Sequence, residues 1–558
     1  MAERNQDGDL MPTVEFSLDD LQQLLGKKIT AKELEDAILR AKGEVESVNG
    51  DAVKADIKDT NRPDLWSVEG IARELRGSYG VEEGLPKFSA GKSGVEMKVD
   101  AKVQRVRPKT VGAVIKGLKL SDYAIKQLIQ LQEKIHQTYG RNRELAAIGV
   151  YDYEKIEPPI YYTTVKPDGI KFVPLDFEEE MTPREILEMH PKGREYGHLI
   201  NKFKEYPLMI DSEKNVLSLP PIINSSLTGK ITPETENVFI EITGHEVERI
   251  SVVLNVIVAA LAERGGRIYT VEVLYPKEKL ITPELGAKEF ALDFEYCKKI
   301  LGLKLRKEEV IKLLKKARYG AQISGNKILT KYPAYRNDIM HQRDIVEDTA
   351  IAYGLNKMIP EPPRLPTIGA ADAKEEFSDA VREVMIGLGF QEILTFSLTS
   401  KDTLFRKMNL EEKEICEIAN PISANWSVLR SWLLPSLLEF LASNLHVEYP
   451  HRIFEVGDVV EIDEMQETRT RTIRRLACTI ADTKVSYEEA SSVLDALMRN
   501  LGINFKLKRS AHPSFIPGRV SEIFVDRKLI GVVGEVHPQV LNNWEIENPV
   551  AAFEVELL

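Results

Sequence analysis

A proline-rich segment, IPEPPRLPTIGA at residues 359–370, limits the possible folds of this chain more than any other feature. Each proline fixes its own φ angle and removes an amide donor, so neither a helix nor a central strand can run through four of them. The whole chain of 558 residues is also too long for one hydrophobic core. We therefore expect several domains, with one boundary in this segment.

The composition is that of a soluble globular protein. Hydrophobic residues make up 43% of the chain, and no apolar run approaches the roughly 20 residues of a membrane-spanning helix. The N-terminal sequence MAERNQDGDLMPTVEF is polar and lacks the apolar core of a secretion signal. Cys297, Cys416 and Cys478 are far apart, which indicates neither a disulfide framework nor a zinc site. We expect a cytoplasmic protein with no membrane contact.

The net charge of −12 argues against a protein that binds nucleic acids unaided and without specificity. Affinity for phosphates comes largely from clustered lysines and arginines. A local basic patch, or a basic partner chain, remains compatible with this charge.

Helical and strand periodicities predict a multidomain α+β protein. The third of its domains is expected to be small, mostly helical and similar to a winged helix. The expected domains are residues 1–90, 95–268, 270–358 and 371–558, joined by the linker 359–370.

Two local patterns give sharper expectations. Pro63 ends a strand, and Asp64 is placed to cap the helix that follows. Near the C-terminus, Phe553 and Val555 alternate with Glu554, as in a strand with one face in the core and one in water.

No motif for nucleotide or hydrolase chemistry is present, but one acidic cluster stands out. The sequence lacks a GxxxxGK[ST] phosphate loop, a GxSxG elbow and an HExxH zinc helix. In a helix starting near His341, the carboxylates of Asp344, Glu347 and Asp348 share one face, with Asp338 just upstream. Four converging carboxylates suit Mg²⁺. Acids that complement a helix dipole are the alternative.

Segments spread over the whole chain resemble the β subunits of archaeal and eukaryotic phenylalanyl-tRNA synthetases. They are TNRPDLWSVEGIAREL, LQEKIHQTYGRNRELAAIGVYD, YRNDIMHQRDIVEDTAIAYG, NPISANWSVLRSWLLPSLLEFLASN, HRIFEVGDVV and GVVGEVHPQV. The resemblance implies an N-terminal α/β domain, a B3/B4-type editing domain, a B5-like domain and an inactive class II synthetase sheet domain. It also implies an α2β2 complex with a catalytic α subunit, and tRNA(Phe) as a partner.

The resemblance bears on both candidate sites. It implies that Asp338, Asp344, Glu347 and Asp348 hold a Mg²⁺ ion shared with the α subunit. It also implies hydrolysis of tRNA(Phe) mischarged with tyrosine, because a phenylalanine site discriminates poorly against tyrosine. The candidate editing residues are Glu241, Thr243, Ser218 and Asn224. A polar solvent face on an amphipathic strand is the alternative for Glu241 and Thr243.

Other charged residues of the last domain have alternative interpretations. Arg452 and Glu455 resemble the substrate-holding pair of class II enzymes, but no GxGxxR segment follows them, so we expect a structural ion pair and no ATP chemistry. The arginines of TRTRTIRR at 468–475 either contact tRNA phosphates or protect a hairpin edge.

By comparison with the longer bacterial β subunits, we expect this chain to lack their inserted OB-type domain and their C-terminal anticodon-binding domain. Two other functions remain open: a purely structural subunit without editing, and a stand-alone tRNA deacylase.

Overall fold

A computed structural model describes residues 13–557 of the chain and divides it into two compact units. The first unit extends to Glu361 and the second begins at Pro362, a division that lies within the proline-rich segment. Residues 1–12 of the expected N-terminal domain and residue 558 of the last domain lie outside the described residues. Within the described part, no helix is both long enough and apolar enough to cross a bilayer.

The first unit begins with a small antiparallel sheet of strand order β1-β3-β2. Its elements are β1 (Thr13–Ser17), α1 (Leu18–Leu25), α2 (Ala31–Arg40), β2 (Gly43–Asn49), β3 (Ala52–Ile57) and α3 (Val68–Ser78). The N-cap of α3 is Ser67, whose hydroxyl accepts the amide of Gly70, and not Asp64 as the sequence suggested. Asp64 is engaged elsewhere, because both of its oxygens accept hydrogen bonds from Arg62.

A ten-stranded mixed sheet follows, in the order β10-β9-β8-β7-β4-β12-β5-β11-β6, with β13 paired to β12. The strands are β4 (Ala90–Val99), β5 (Lys109–Lys116), β6 (Ala146–Asp152), β7 (Ile160–Val165), β8 (Tyr206–Ile210), β9 (Val216–Leu219), β10 (Ile223–Asn224), β11 (Val238–Gly244), β12 (Arg267–Leu274) and β13 (Lys279–Thr282). The helices are α4 (Asp122–Gln137), α5 (Pro183–Met189), α6 (Pro191–Tyr196), α7 (Ser226–Gly229) and α8 (Val247–Glu263).

This sheet extends past both expected domain boundaries. β4 begins at Ala90, the last residue of the expected N-terminal domain, and β12 crosses the expected boundary at 268–270. β12 cannot be detached from the sheet, because it pairs in parallel with β4 and antiparallel with β5.

β11 is buried on both faces, since each of its seven residues is buried. Ile240 and Ile242 belong to the core that also contains α8, while Phe239 on the opposite face stacks on Tyr151 with ring centroids 5.9 Å apart. Glu241 and Thr243 share the face of Phe239 because side chains alternate along a strand.

The remainder of the first unit is a three-stranded antiparallel sheet, β14-β16-β15, with three helices. The elements are β14 (Lys288–Asp293), α9 (Phe294–Leu301), α10 (Lys307–Lys316), β15 (Gly320–Ser324), β16 (Lys327–Tyr332) and α11 (Gln342–Tyr353).

The second unit is built on a seven-stranded sheet of order β17-β20-β21-β25-β24-β23-β22, antiparallel except for the β17–β20 pair. The strands are β17 (Gln391–Glu392), β18 (Leu398–Thr399), β19 (Val428–Leu429), β20 (His451–Ile462), β21 (Thr470–Ala481), β22 (Lys506–Arg509), β23 (Phe515–Val525), β24 (Lys528–Val536) and β25 (Val550–Glu556). The helices are α12 (Ala373–Gly387), α13 (Lys401–Leu404), α14 (Leu434–Ser443), α15 (Tyr487–Asn500) and α16 (Pro538–Asn543).

The expectation of a strand with one solvated face is wrong for β25. Glu554 is only 3% exposed, and its carboxylate accepts the backbone amides of Leu433 and Leu434, both at 2.9 Å. Its other oxygen pairs with Arg475 at 3.0 Å. A buried carboxylate therefore satisfies the first free amides of α14 and a cation on the neighbouring strand, which the alternation of residue types does not reveal.

Replacing Glu554 by alanine should destabilise the second unit by about 3 kcal/mol, because two buried amides would lose their acceptor and Arg475 would lose one of its two carboxylate partners. Differential scanning calorimetry of the full chain measures this loss. The control is Glu556→Ala on the same strand, which removes a more exposed ion pair with Lys528 and should cost no more than about 1 kcal/mol. Equal effects of the two variants would contradict the structural role of Glu554.

Candidate functional site

A cavity of about 280 Å³ lies against the ten-stranded sheet and contains all four candidate editing residues. Glu241 and Thr243 come from β11, Ser218 from β9 and Asn224 from β10. The sequence joined the first two by their spacing on a strand, and the fold brings the other two to them. The polar solvent face considered for Glu241 and Thr243 is ruled out, since they are 2% and 0% exposed.

The cavity exists because the sheet curls until its two ends meet. β6 and β10 stand at opposite ends of the strand order. The amide Nδ2 of Asn224 nevertheless donates to the carbonyl of Val150 on β6 at 3.3 Å. A second link joins the hydroxyls of Tyr151 and Ser218 at 2.8 Å.

Glycines stand opposite Glu241 on both strands that flank β11. Gly112 on β5 and Gly149 on β6 are its direct cross-strand partners, so their side chains would occupy the same face. A Cβ atom on Gly149 would lie 2.7 Å from Glu241 Oε1 and would also overlap the hydroxyl of Tyr151. Glycine at position 149 is therefore required by close approach.

Tyr151 links the carboxyl group of Glu241 to Ser218. Its hydroxyl donates to Glu241 Oε1 at 2.9 Å. Because a phenol has one proton, the short contact with Ser218 is a hydrogen bond donated by the serine. The second oxygen, Glu241 Oε2, is buried and has no hydrogen-bond partner among residues 13–557.

Burial without a cationic partner raises the pKa of Glu241 to about 7, and desolvation is the main cause. The hydrogen bond from Tyr151 and the positive charge of Arg107 partly oppose this increase. Glu241 is therefore poised between its charged and neutral forms near neutral pH.

Arg107 binds both the side chain and the backbone of Thr243. Its Nε donates to Thr243 Oγ1 at 2.9 Å, and its two terminal nitrogens donate to the carbonyls of Thr243 and Glu144. Burial lowers the pKa of Arg107 to about 10, so the guanidinium stays charged at neutral pH. Since Thr243 Oγ1 already accepts from Arg107, its own proton is left to donate.

His136 on α4 lines the cavity but cannot act as a base there. Its Nε2 accepts the backbone amide of Ile148 at 2.9 Å, which assigns the ring proton to Nδ1, facing Glu133 at 3.4 Å. Desolvation lowers the pKa of His136 to about 4, so the ring is neutral at physiological pH.

Sequence patterns missed Tyr151, His136 and Arg107. Tyr151 and Glu241 both lie on buried strands, so a polar atom in an otherwise apolar strand was the available signal for both. Nothing in the sequence indicated that Arg107, in the loop before β5, would reach β11.

The residues of the acidic cluster have partners within the chain, and two of them, Asp338 and Asp348, are buried in ion pairs. Arg336 contacts both Asp338 and Asp348, the latter at 2.7 Å. The ammonium of Lys42 lies 3.1 Å from Glu347 and 3.5 Å from Asp348.

Asp344 has a different partner, as its Oδ2 accepts the amides of Met340 and His341 at the start of α11. Within residues 13–557, no three His, Cys, Asp or Glu side chains are placed to hold a metal ion. Arg336 and Lys42 already neutralise Asp338, Glu347 and Asp348, and backbone amides bind Asp344, so the described part of this chain does not form a Mg²⁺ site by itself. A Mg²⁺ site shared with an α subunit stays a prediction.

The prediction of an ion pair between Arg452 and Glu455 is wrong. The two residues are three apart on β20 and so point to opposite faces. Glu455 instead pairs with Arg430 at 2.8 Å and accepts from Thr395 at 2.6 Å. Arg452 is exposed and lies over the ring of Phe390.

The arginines of β21 and the preceding turn face acidic partners. Arg471 and Arg475 both pair with Glu461, and Arg474 pairs with Asp458. Cross-strand ion pairs therefore account for most of the TRTRTIRR segment.

Three sequence-family models match the chain, each a part of a tRNA synthetase. The matches are a B3/4 domain at residues 110–257, a tRNA synthetase B5 domain at 290–355 and a phenylalanyl tRNA synthetase beta chain CLM domain at 359–557. Domain content and order thus define a subunit of a tRNA synthetase.

Curated relatives agree over nearly the whole length. The phenylalanine–tRNA ligase beta subunits of Pyrococcus furiosus and Methanocaldococcus jannaschii are 52% and 42% identical to it, over 98% of this chain and 99% and 100% of theirs. A crystal structure of an N-terminal fragment of the Pyrococcus horikoshii phenylalanyl-tRNA synthetase β-subunit matches at 50% identity with a TM-score of 0.60. It covers 62% of this chain and 100% of the fragment. The chain belongs to the phenylalanine–tRNA ligase β-subunit family.

The raised pKa of Glu241 predicts a pH-dependent cost of folding. The folded carboxyl keeps a proton that the unfolded chain releases, so stability falls as pH rises from about 4.5 to about 7. Glu241→Gln should remove this cost, up to about 3 kcal/mol. The variant's unfolding temperature, relative to wild type, should be higher at pH 8 than at pH 5. A pH-independent difference would contradict the raised pKa.

Mg²⁺ should not raise the unfolding temperature of the isolated chain, because Arg336 and Lys42 already neutralise the cluster. Thermal scans with Mg²⁺ and with a chelator test this. A Mg²⁺-dependent increase in the isolated chain that Asp348→Asn abolishes would contradict the fit argued here. An increase seen only with the α subunit present would support the shared site.

Proposed function

We propose that this chain is the β subunit of an α2β2 phenylalanine–tRNA ligase that joins phenylalanine to tRNA(Phe) at the expense of ATP. The α subunit forms and transfers the activated amino acid. This chain builds the interface, supports the tRNA and hydrolyses tyrosine wrongly attached to tRNA(Phe).

The arginines of the second unit are paired with acids inside the unit, which supports the proposal that ATP is used by a partner chain. A nucleotide needs fixed cationic donors that are free to bind phosphates. Arg430 is bound to Glu455 and Arg475 to Glu461 and Glu554. Arginines bound in this way to buried or half-buried acids do not form a phosphate clamp.

Hydrolytic editing is needed where binding alone does not discriminate well enough between phenylalanine and tyrosine. Tyrosine differs from phenylalanine by one hydroxyl, which an apolar pocket rejects weakly. A site that forms a hydrogen bond with that hydroxyl separates the two far better, because its buried polar group stays unpaired with phenylalanine.

The observation that carries this proposal is the unpartnered oxygen of Glu241 in a cavity of about 280 Å³. Glu241 is buried on β11, beside the terminal strand β6, and it lines the cavity, so a side chain that enters the cavity can contact it. We assign its Oε2 to accept the phenolic proton of a bound tyrosyl group, while Tyr151 holds the other oxygen.

Hydrolysis itself takes place nearer the mouth. A water oxygen bonds to the ester carbon, the bond to the ribose oxygen breaks, and a proton from the water passes to that oxygen. Thr243, held by Arg107, keeps a proton to donate to the substrate. His136 stays neutral and has its lone pair occupied, so it shapes the cavity without exchanging protons.

The test is hydrolysis of Tyr-tRNA(Phe) and Phe-tRNA(Phe) by the purified α/β complex. Glu241→Ala should lower kcat/KM for the tyrosyl ester about 100-fold and leave the slow hydrolysis of the phenylalanyl ester unchanged. The matched control is Glu272→Ala, which changes a partly exposed glutamate of β12 in the same sheet that pairs with Lys279.

The alternatives give different results. If Glu241→Ala lowers kcat/KM equally for the tyrosyl and phenylalanyl esters, Glu241 acts as a base and its role in recognition is contradicted. If the wild-type complex leaves the tyrosyl ester intact, this chain is a structural subunit without editing. Full activity of the chain without its partner would indicate a stand-alone deacylase.

A further inference from the structure

The outer edge of the second unit's sheet is basic although the chain as a whole is acidic. β22 is the last strand of the sheet, and its four residues are all exposed. Three of them are cations, and a fourth cation follows β23 in the adjacent turn. The β22 surface consists of Lys506, Lys508, Arg509 and Arg527.

These four cations have no ion-pair or hydrogen-bond partner for their charged groups among residues 13–557. This distinguishes them from Arg471, Arg474 and Arg475 on β21, each of which faces a carboxylate. A cation without a local partner keeps its full capacity to bind an external anion.

A groove of about 760 Å³ runs along this edge. Lys506 and Lys508 line it together with Arg527. Phe524 supplies an aromatic wall, and Leu507 is 39% exposed at the strand. Cations beside an aromatic ring suit a nucleic acid strand, whose phosphates and bases need both.

The turn at one end of the groove holds Arg527 in an unfavourable backbone conformation. Asp526 and Arg527 have φ angles of 45° and 68°, both in the left-handed region. A two-residue hairpin turn of this kind favours glycine at the second position. An arginine there costs backbone energy, and its guanidinium group forms no hydrogen bond or ion pair with the described residues that would compensate for this cost.

We propose that the β22 surface binds the phosphate backbone of the tRNA on which the complex acts. The proposal rests on the function proposed above, which supplies the RNA. It assigns the contact to a part of the chain remote in sequence from the editing cavity.

The neighbouring acids do not cancel this charge. Glu522 stands opposite Lys508 in the strand register, but its carboxylate accepts from Ser510 at 3.0 Å. Asp526 is the other acid at the groove. Lys528 is neutralised by Glu556 and is therefore left out of the surface. Four unpaired cations stand against two acids.

A peptide that adds a strand to the sheet is less well matched. β22 offers only four residues of free edge, too few for a long ladder of backbone hydrogen bonds. Lysines on an edge strand can also serve only to prevent strand pairing between molecules. The experiment below separates these roles.

The test measures binding of tRNA(Phe) to the α/β complex over a range of KCl concentrations. Lys506→Gln/Lys508→Gln/Arg527→Gln should weaken binding about tenfold near physiological salt and lower the slope of log K against log salt by about two. Another tRNA species should lose affinity by the same factor, because phosphate contacts carry no sequence information.

The control removes the same charge from cations that already have acidic partners. Lys401→Gln/Arg469→Gln/Arg471→Gln changes residues paired with Glu417, Glu464 and Glu461 and should leave the slope unchanged. Thermal unfolding and assembly with the α subunit verify that both triple variants are folded.

A second measurement needs no variant. In the wild-type complex, bound tRNA should protect Lys506 and Lys508 from acetylation, read by mass spectrometry. Absence of protection, or wild-type affinity and slope in the triple variant, would overturn the proposal. Unchanged RNA binding together with self-association of the variant would identify edge protection as the role. A wild-type complex that binds no tRNA would refute the proposed function itself.

Discussion

Compensation of buried charge is the constraint on which this structure depends. Asp348 is bound by Arg336 and Lys42, and the pKa of that carboxyl is held well below its usual range. Glu554 is bound by Arg475 and by two backbone amides. Glu241 has a tyrosine hydroxyl and an unused oxygen in place of a cation, and its pKa is raised to about 7. Of these three carboxyls Glu241 has the least compensation, and incomplete pairing of a buried carboxyl is typical of functional sites.

The closure of the ten-stranded sheet explains how that carboxyl is held. A flat sheet would expose the hydroxyl of Tyr151 to water, and Glu241 would behave as an ordinary glutamate. Because the two ends of the sheet come together, Ser218 of β9 contacts Tyr151 of β6 and the tyrosine is buried beside Glu241. Desolvation then raises the pKa of both the Tyr151 hydroxyl and the Glu241 carboxyl. The chemistry of the site therefore depends on both the curvature of the sheet and the glycine at position 149.

Sequence patterns predicted what depends on neighbours along the chain. Glu241 and Thr243 are two residues apart in the sequence, and this spacing alone places both side chains on one face of β11. They did not predict what depends on distant partners. The acids near α11 were assigned to a metal because the sequence does not reveal that Arg336 and Lys42 fold onto them. For the same reason, Glu455 was paired with Arg452, three residues away, when its partner Arg430 lies in a preceding segment. The alternation of residue types also predicted that Glu554 is exposed to solvent. It could not show that α14 covers that face of β25.

Pairing also separates structural from functional charges on the surface of the second unit. The run of arginines at 468–475 is the most conspicuous basic segment in the sequence, yet carboxylates on neighbouring strands and on α12 take up most of its charge. The shorter run on β22 has no such partners among residues 13–557. A high density of charge in a sequence can therefore mark ion pairs within the fold, whereas a charge that the fold leaves unpaired is available to another molecule. The roles proposed for the carboxyl of Glu241 and for the cations of β22 have this one basis, since the electrostatic interactions of each are incomplete within the described part of the chain.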